Sequence, residues 1–223
     1  MLTTRFSKQG AFTLVELLLA LLLGTLLLIM IINIYSNNIV GQTHALQIAR
    51  MRTDLQHVMS VMENDLRRAG YGGSEFLVGN EHHKVIDILN NGTKQCIIYA
   101  YNTEKSLSFD ASYVMGFRYL ASSQSIQFGH SVSAEAKDCF TTGFWNNLTD
   151  PHFIQVVDLE FIESAEIVEN SVHRSVNIEL TAKQPESSEA LYQLHTFVHV
   201  RNTEAVVNNN VVNNNVINNN VLN

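Results

Sequence analysis

One carboxylate stands apart from every other charge in its neighbourhood. Glu16 is the only Asp, Glu, Lys or Arg between Lys8 and Arg50, and the run Leu17 to Ile32 behind it is apolar. A carboxylate is expensive to hold in hydrocarbon, so one heading such a run is read as functional and in need of a cationic partner. A plain membrane anchor would give it no role. Two cysteines, Cys96 and Cys139, are the next candidates, followed by nine histidines. Glu81-His82-His83 is a local cluster. His195 and His199 would share one face of a strand, but four residues there span about 13 Å, too far for one metal ion. A zinc site needs several convergent ligands, and only 81–83 gathers them locally. No Gly-rich phosphate loop, nucleophile elbow or zinc-protease helix is present, and no carboxylates pair by spacing. The expectation is therefore no enzyme, no cofactor and no metal.

The elements that position these residues begin with a span. Phe12 to Ile34 as helix is about 35 Å long, enough to cross a bilayer. Arg5 and Lys8 precede it and no acid does, which places the N-terminus in the cytoplasm and the rest outside it. A cleaved secretory signal fits poorly, because its apolar region is shorter and a small-x-small site should follow. Here Asn33-Ile34-Tyr35-Ser36-Asn37-Asn38 follows. Both cysteines then lie on the exported side, where an oxidising periplasm favours a Cys96–Cys139 disulfide over two buried thiols. Neither cysteine has a sequence-local base.

The helix is expected to continue. Ile48, Met51, Leu55, Val58, Met62, Leu66 and Ala69 recur every three or four residues, widened by Met59 and Val61, and form one apolar face read as core. Arg67 and Arg68 occupy the last turn and Gly70 stops it. From Phe12 to Ala69 this helix would be about 87 Å long, with Gly24 and Gly41 as places to bend.

Beyond residue 76 the period becomes two. Strands are expected at Gln95–Tyr101, Tyr113–Leu120, Ser125–Phe128, Phe153–Phe161, Ser175–Thr181 and Tyr192–Val200. The last two would pair antiparallel across Ala182–Glu189, with Pro185 in the turn. Segments 79–84, 102–112 and 131–150 read as loops. An antiparallel sheet with one face on the helix would bury the apolar sets. The charge is uneven: residues 12–70 are neutral overall, so the net negative charge of the exported chain lies beyond residue 70. An acidic head argues against nonspecific nucleic-acid binding through its general surface. Val207 to Asn223 repeats Val-Val-Asn-Asn-Asn, with Ile217 and Leu222 as variants. Such a segment is either disordered or pairs as β structure. A dispensable repeat expansion and an adhesive or spacer appendage both fit it.

Lys8-Gln9-Gly10-Ala11-Phe12-Thr13-Leu14-Val15-Glu16-Leu17 resembles the processing site of type IV prepilins and type II secretion pseudopilins. The resemblance implies a basic leader, residues 1–11, removed on the cytoplasmic side by a prepilin peptidase, and N-methylation of the new N-terminus. It also implies a glutamate at the fifth mature position. The family usually has Gly directly before Phe, whereas Ala11 intervenes here. A cut after Ala11 makes Glu16 fifth, and a cut after Gly10 makes it sixth. The first keeps the carboxylate at the depth the family uses and is favoured. Gly10, Ala11 and Phe12 are then the cleavage and methylation residues. Glu16 is the assembly-register residue, pairing with the N-terminal amine of a neighbouring subunit.

Asp65-Leu66-Arg67-Arg68-Ala69-Gly70-Tyr71-Gly72-Gly73 resembles the helix end of the PilW family of minor pilins. Cys96–Tyr101, Gly116-Phe117-Arg118, Asp138-Cys139, Trp145–Pro151 and Leu159-Glu160-Phe161 follow in the order expected of such heads. The resemblance spans about residues 8–201 and implies an α+β, type IV pilin-like fold. Its parts are a leader (1–11), a membrane or filament-core half of a spine helix (12–34), an amphipathic half (35–70), a β-rich periplasmic head (71–202) and an Asn-rich tail (203–223). It implies a minor pilin that helps initiate type IV pilus assembly at or near the tip. The protein would sit in the inner membrane, single-pass with its head periplasmic, and then in the pilus. Its partners would be other minor and major pilins, contacted through the spine, the prepilin peptidase and the inner-membrane assembly machinery. The alternatives are a minor pseudopilin of a type II secretion system and an unprocessed, membrane-anchored binding module.

Overall fold

The computed structural model describes residues 13–80, 83–92, 94–102, 108–185 and 191–205. One helix, α1 (Leu14–Leu66), opens the chain and is followed by strands. The chain divides into two compact units, the first ending at Ala49 and the second starting at Arg50.

The first unit is the apolar part of α1. Leucine, isoleucine and methionine side chains from Leu14 to Ile34 are exposed on every side of it. A helix that is apolar all round belongs in a membrane or inside a larger bundle, and this one is long and apolar enough to cross a membrane. α1 runs unbroken through Gly24 and Gly41, so the helix does not melt at either glycine.

The second unit is the head together with the last turns of α1. Met51, Leu55, Val58, Met59, Met62 and Leu66 are buried, the face expected from their spacing. The helix stops at Leu66 rather than Ala69, and tight turns carry the chain through Gly70. Among the described residues nine strands follow, not only the six expected. A five-stranded antiparallel sheet runs in order through β1 (Ile86–Asn91), β2 (Lys94–Ala100), β3 (Val114–Leu120), β4 (Ser125–His130) and β5 (Phe144–Asn147). A second sheet holds β6 (Gln155–Val168), β7 (Ser171–Lys183) and β8 (Tyr192–His199), with β9 (Glu204–Ala205) also on β7. β7 and β8 pair antiparallel as expected, from Ser175 opposite His199 to Ala182 opposite Tyr192.

One core lies between the helix and both sheets. It joins Met62 and Leu66 to Ile97, Tyr99 and Phe117 of the first sheet and to Leu159, Phe161, Ile178 and Leu180 of the second. A satellite core covers the opposite face of the first sheet, where Cys96, Ile98, Ala100 and Val114 meet Val132, Ala136 and Cys139. Arg174 ties the C-terminal strand down. It forms ion pairs with Glu163 and with Glu204, which is 4% exposed. Glu204 also accepts the Val85 N–H at 2.7 Å. Burial pulls the Arg174 pKa down, but the hydrogen bond it donates to Glu204 and the two carboxylate charges outweigh it and leave it raised.

Candidate functional site

Gly10, Ala11 and Phe12 lie outside the described residues, so the N-terminal site is built from Thr13 onward. Glu16 stands in the first turn of α1. Its Oε2 accepts from the Thr13 N–H and from the Thr13 hydroxyl, and its own N–H donates to Thr13 Oγ1, each at 3.3 Å. This reciprocal pair is a capping box. It satisfies N–H groups that the first turn leaves without helical partners, and the carboxylate also meets the positive end of the helix dipole. The Thr-x-x-Glu spacing that signals such a box was present at 13–16, and sequence reasoning passed over it. A plain anchor therefore does offer Glu16 a task, contrary to the expectation above. The cap does not exclude a cationic partner, since an ionised carboxylate has about four acceptor sites and all three bonds are solvent-exposed.

The Asp65–Gly73 segment forms the joint between helix and head. Asp65 accepts from the Tyr99 hydroxyl at 2.9 Å and the Tyr101 hydroxyl at 3.5 Å. It also pairs with Arg68, whose guanidinium lies 4.6 Å from the centre of the Tyr101 ring. Gly70 has φ +73°, donates its N–H to Ala100 O at 2.7 Å, and has room for no Cβ, which would lie 2.8 Å from Val85 Cγ1. Asn202 Nδ2 donates to Ala69 O at 2.8 Å and Arg201 N–H to Arg67 O at 3.3 Å, so the far end of the chain closes the helix terminus. The motif read as a family signature is thus a docking joint made of hydrogen bonds.

Tyr99 is fully buried, and its pKa is pushed well above 10.0 by desolvation first and the Asp65 charge second. The sign follows. Above pH 10 the unfolded chain releases this proton and the folded chain keeps it, so stability present below pH 10 falls as pH rises further. Thermal unfolding between pH 9 and 11 should therefore fall more steeply for the native protein than for Tyr99→Phe. Equal slopes would remove Tyr99 as the cause.

Cys96 and Cys139 form a disulfide with Cα atoms 6.6 Å apart. It staples segment 131–143 across the outer face of the first sheet. Beside it Trp145 lies over Gly129, where a Cβ would come within 2.6 Å of the indole, and its Nε1–H donates to Thr142 O at 2.7 Å. Arg118 stacks 4.2 Å from the centre of the Trp145 ring and donates to Cys139 O at 3.1 Å. β5, which carries Trp145, falls inside the stretch expected to be loop.

Of the histidine cluster only His83 is described. Its Nδ1 is buried, with no hydrogen-bond partner among the described residues, beside an open pocket of about 510 Å³ lined also by Gly70, Arg201 and Glu204. His195 and His199 do share the exposed face of β8. The His199 ring stacks with that of His173 on β7, at 6.4 Å between centroids. Among the described residues no three His, Cys, Asp or Glu side chains are gathered to hold a metal ion.

The first unit presents a capped carboxylate in the first turn of an exposed apolar helix. A family model described as "Prepilin peptidase-dependent protein B" matches residues 44–200, more than two-thirds of the chain. No curated protein and no solved structure matches.

Proposed function

This chain belongs to the prepilin peptidase-dependent protein B family, and from that premise we propose that it is a minor pilin of the type IV system. The pilin-like, prepilin peptidase-dependent class follows from the family. The observation that carries the finer reading is Glu16 at the head of an apolar helix whose side chains are exposed all round. A cut after Ala11 puts Phe12 at the new N-terminus and Glu16 fifth. The apolar helix then holds the protein in the inner membrane with its head periplasmic, and later packs among the helices of other pilins. The disulfide suits an exported head. The PilW-like segments favour a place among the subunits that start the filament, at or near its tip.

The deciding experiment is the intact mass, with N-terminal fragmentation, of protein from cells containing their native prepilin peptidase. The expected product starts at N-methylated Phe12. A start at Ala11 would keep the pilin class and move Glu16 to the sixth position. An uncleaved Met1 would sink the proposal in favour of an anchored binding module. Deletion of the gene is then expected to remove pili. Intact pili together with a secretion defect would assign the protein to a type II secretion pseudopilus.

A further inference from the structure

Lys94 and Arg118 are two cations gathered on one aromatic ring. They lie on neighbouring strands and on the same face of the first sheet, Lys94 opposite Leu120 and Arg118 opposite Cys96. The Lys94 ammonium is 5.3 Å and the Arg118 guanidinium 5.6 Å from the centre of the Phe140 ring. Like charges brought together across a sheet are destabilising. Elsewhere in the head Lys84, Lys137 and Arg174 each pair with a carboxylate, but neither Lys94 nor Arg118 forms an ion pair with a described residue. Arg118 is half-buried. Its Nε donates to Gln127 Oε1 at 2.7 Å and its Nη1 to Cys139 O at 3.1 Å, which leaves Nη2 and the Lys94 ammonium as donors. Burial alone acts on the guanidinium and draws its pKa below the usual value. A cation held partly out of water without a counter-charge is costly. The acid-rich head thus carries one place that is short of a carboxylate.

We propose that a second copy of this chain supplies it, through the end of its β6–β7 hairpin. That hairpin outruns the rest of its sheet. β6 and β7 pair as far as Val168 opposite Ser171, whereas β8 stops at His199 opposite Ser175. Beyond that point only the two-residue β9 lies beside the hairpin among the described residues. Its end, Glu166-Ile167-Val168-Glu169, is exposed throughout. Neither glutamate forms an ion pair with a described residue. The two surfaces match in kind: two carboxylates flank two aliphatic side chains on one, and two cations flank an aromatic ring on the other. Charge complementarity of this sort selects the partner and suppresses wrong ones. A nucleic acid or other polyanion is a poorer occupant, because the rest of the acidic head repels it. The contact joins two different patches, so it is heterologous and can repeat from one subunit to the next.

The test is a charge exchange between two variants of the full chain, each in detergent micelles. One variant, Lys94→Glu with Arg118→Gln, makes the patch negative. The other, Glu166→Lys with Glu169→Lys, makes the hairpin end positive. Association is read by sedimentation of a labelled subunit titrated with an unlabelled one. The native chain is expected to self-associate, more weakly as ionic strength rises. Each variant alone should self-associate about tenfold or more weakly than the native chain. A mixture of the two should regain the loss, since each then offers the other an opposite charge. α1 is the same in every sample, so association through it cannot produce that pattern. Arg118 also stacks on Trp145, so indole emission checks the first variant. Where its emission departs from the native one, Lys94→Glu alone takes its place. No self-association of the native chain, equal association in every sample, or a mixture no stronger than its parts overturns the proposal.

Discussion

Replacing Glu16 with glutamine is expected to lower incorporation into assembled filaments by about a hundredfold or more, leaving the head folded. The effect is large because the partner matters more than the residue. An N-terminal ammonium buried among apolar helices is strongly unfavourable once its counter-charge is removed. Glutamine is the informative change, since at this position it still completes a capping box with Thr13. Glu16→Leu removes both cap and charge, while Thr13→Ala removes the capping hydroxyl and costs the helix about 1 kcal/mol. If Glu16 acts by charge pairing, the glutamine and leucine variants fail together and Thr13→Ala assembles. Should Glu16→Gln assemble like the native protein, the carboxylate is a helix cap and no more, and the register reading fails. The measurement is the amount of each variant in sheared filaments, against its amount in membranes.

Replacing both Cys96 and Cys139 with alanine is expected to cost the head about 4 kcal/mol, by loop entropy for a separation of 43 residues. For a chain of this size that lowers Tm by about 10 °C. The staple sits in the satellite core, where both cysteines are fully buried. Its loss also frees segment 131–143, which supplies Val132, Ala136 and Phe140 to that core. Denaturant unfolding of the two proteins, each in detergent, gives the comparison. A difference under about 1 kcal/mol would show that the surrounding packing alone holds the segment.

The helix and its buried face were legible because period and burial agree at Met51, Leu55, Val58, Met62 and Leu66. Of the strands that were found, Ser175–Thr181 alternates most cleanly. Those that were missed lack that signal. β1 pairs through Asp87, Asn90 and Asn91, polar residues that read as loop, yet their backbones face Ile98, Gln95 and Lys94 of β2. β5 is short, and its Asn146 and Asn147 hide it for the same reason. The β6–β7 hairpin reaches to Val168 opposite Ser171, across Glu169 at φ +56°. Glu-Asn lacks the glycine that usually marks such turns. At the N-terminal site the carboxylate was legible and its capping bonds were not weighed. In the head the sequence placed Asp65 and Gly70 at a helix end, but their hydroxyl and carbonyl partners, Tyr99 and Ala100, lie thirty or more residues on, and no local pattern names them.

The platform beneath Trp145 makes the molecule its own spectroscopic instrument. The chain has one tryptophan, and it is pinned by Arg118 above a glycine floor in the region held by the disulfide. Indole emission therefore reports on one face of one sheet. Circular dichroism, by contrast, is dominated by α1. Fluorescence and dichroism followed through the same unfolding experiment thus record two different places, and a gap between their midpoints measures how independently the stapled side of the head opens.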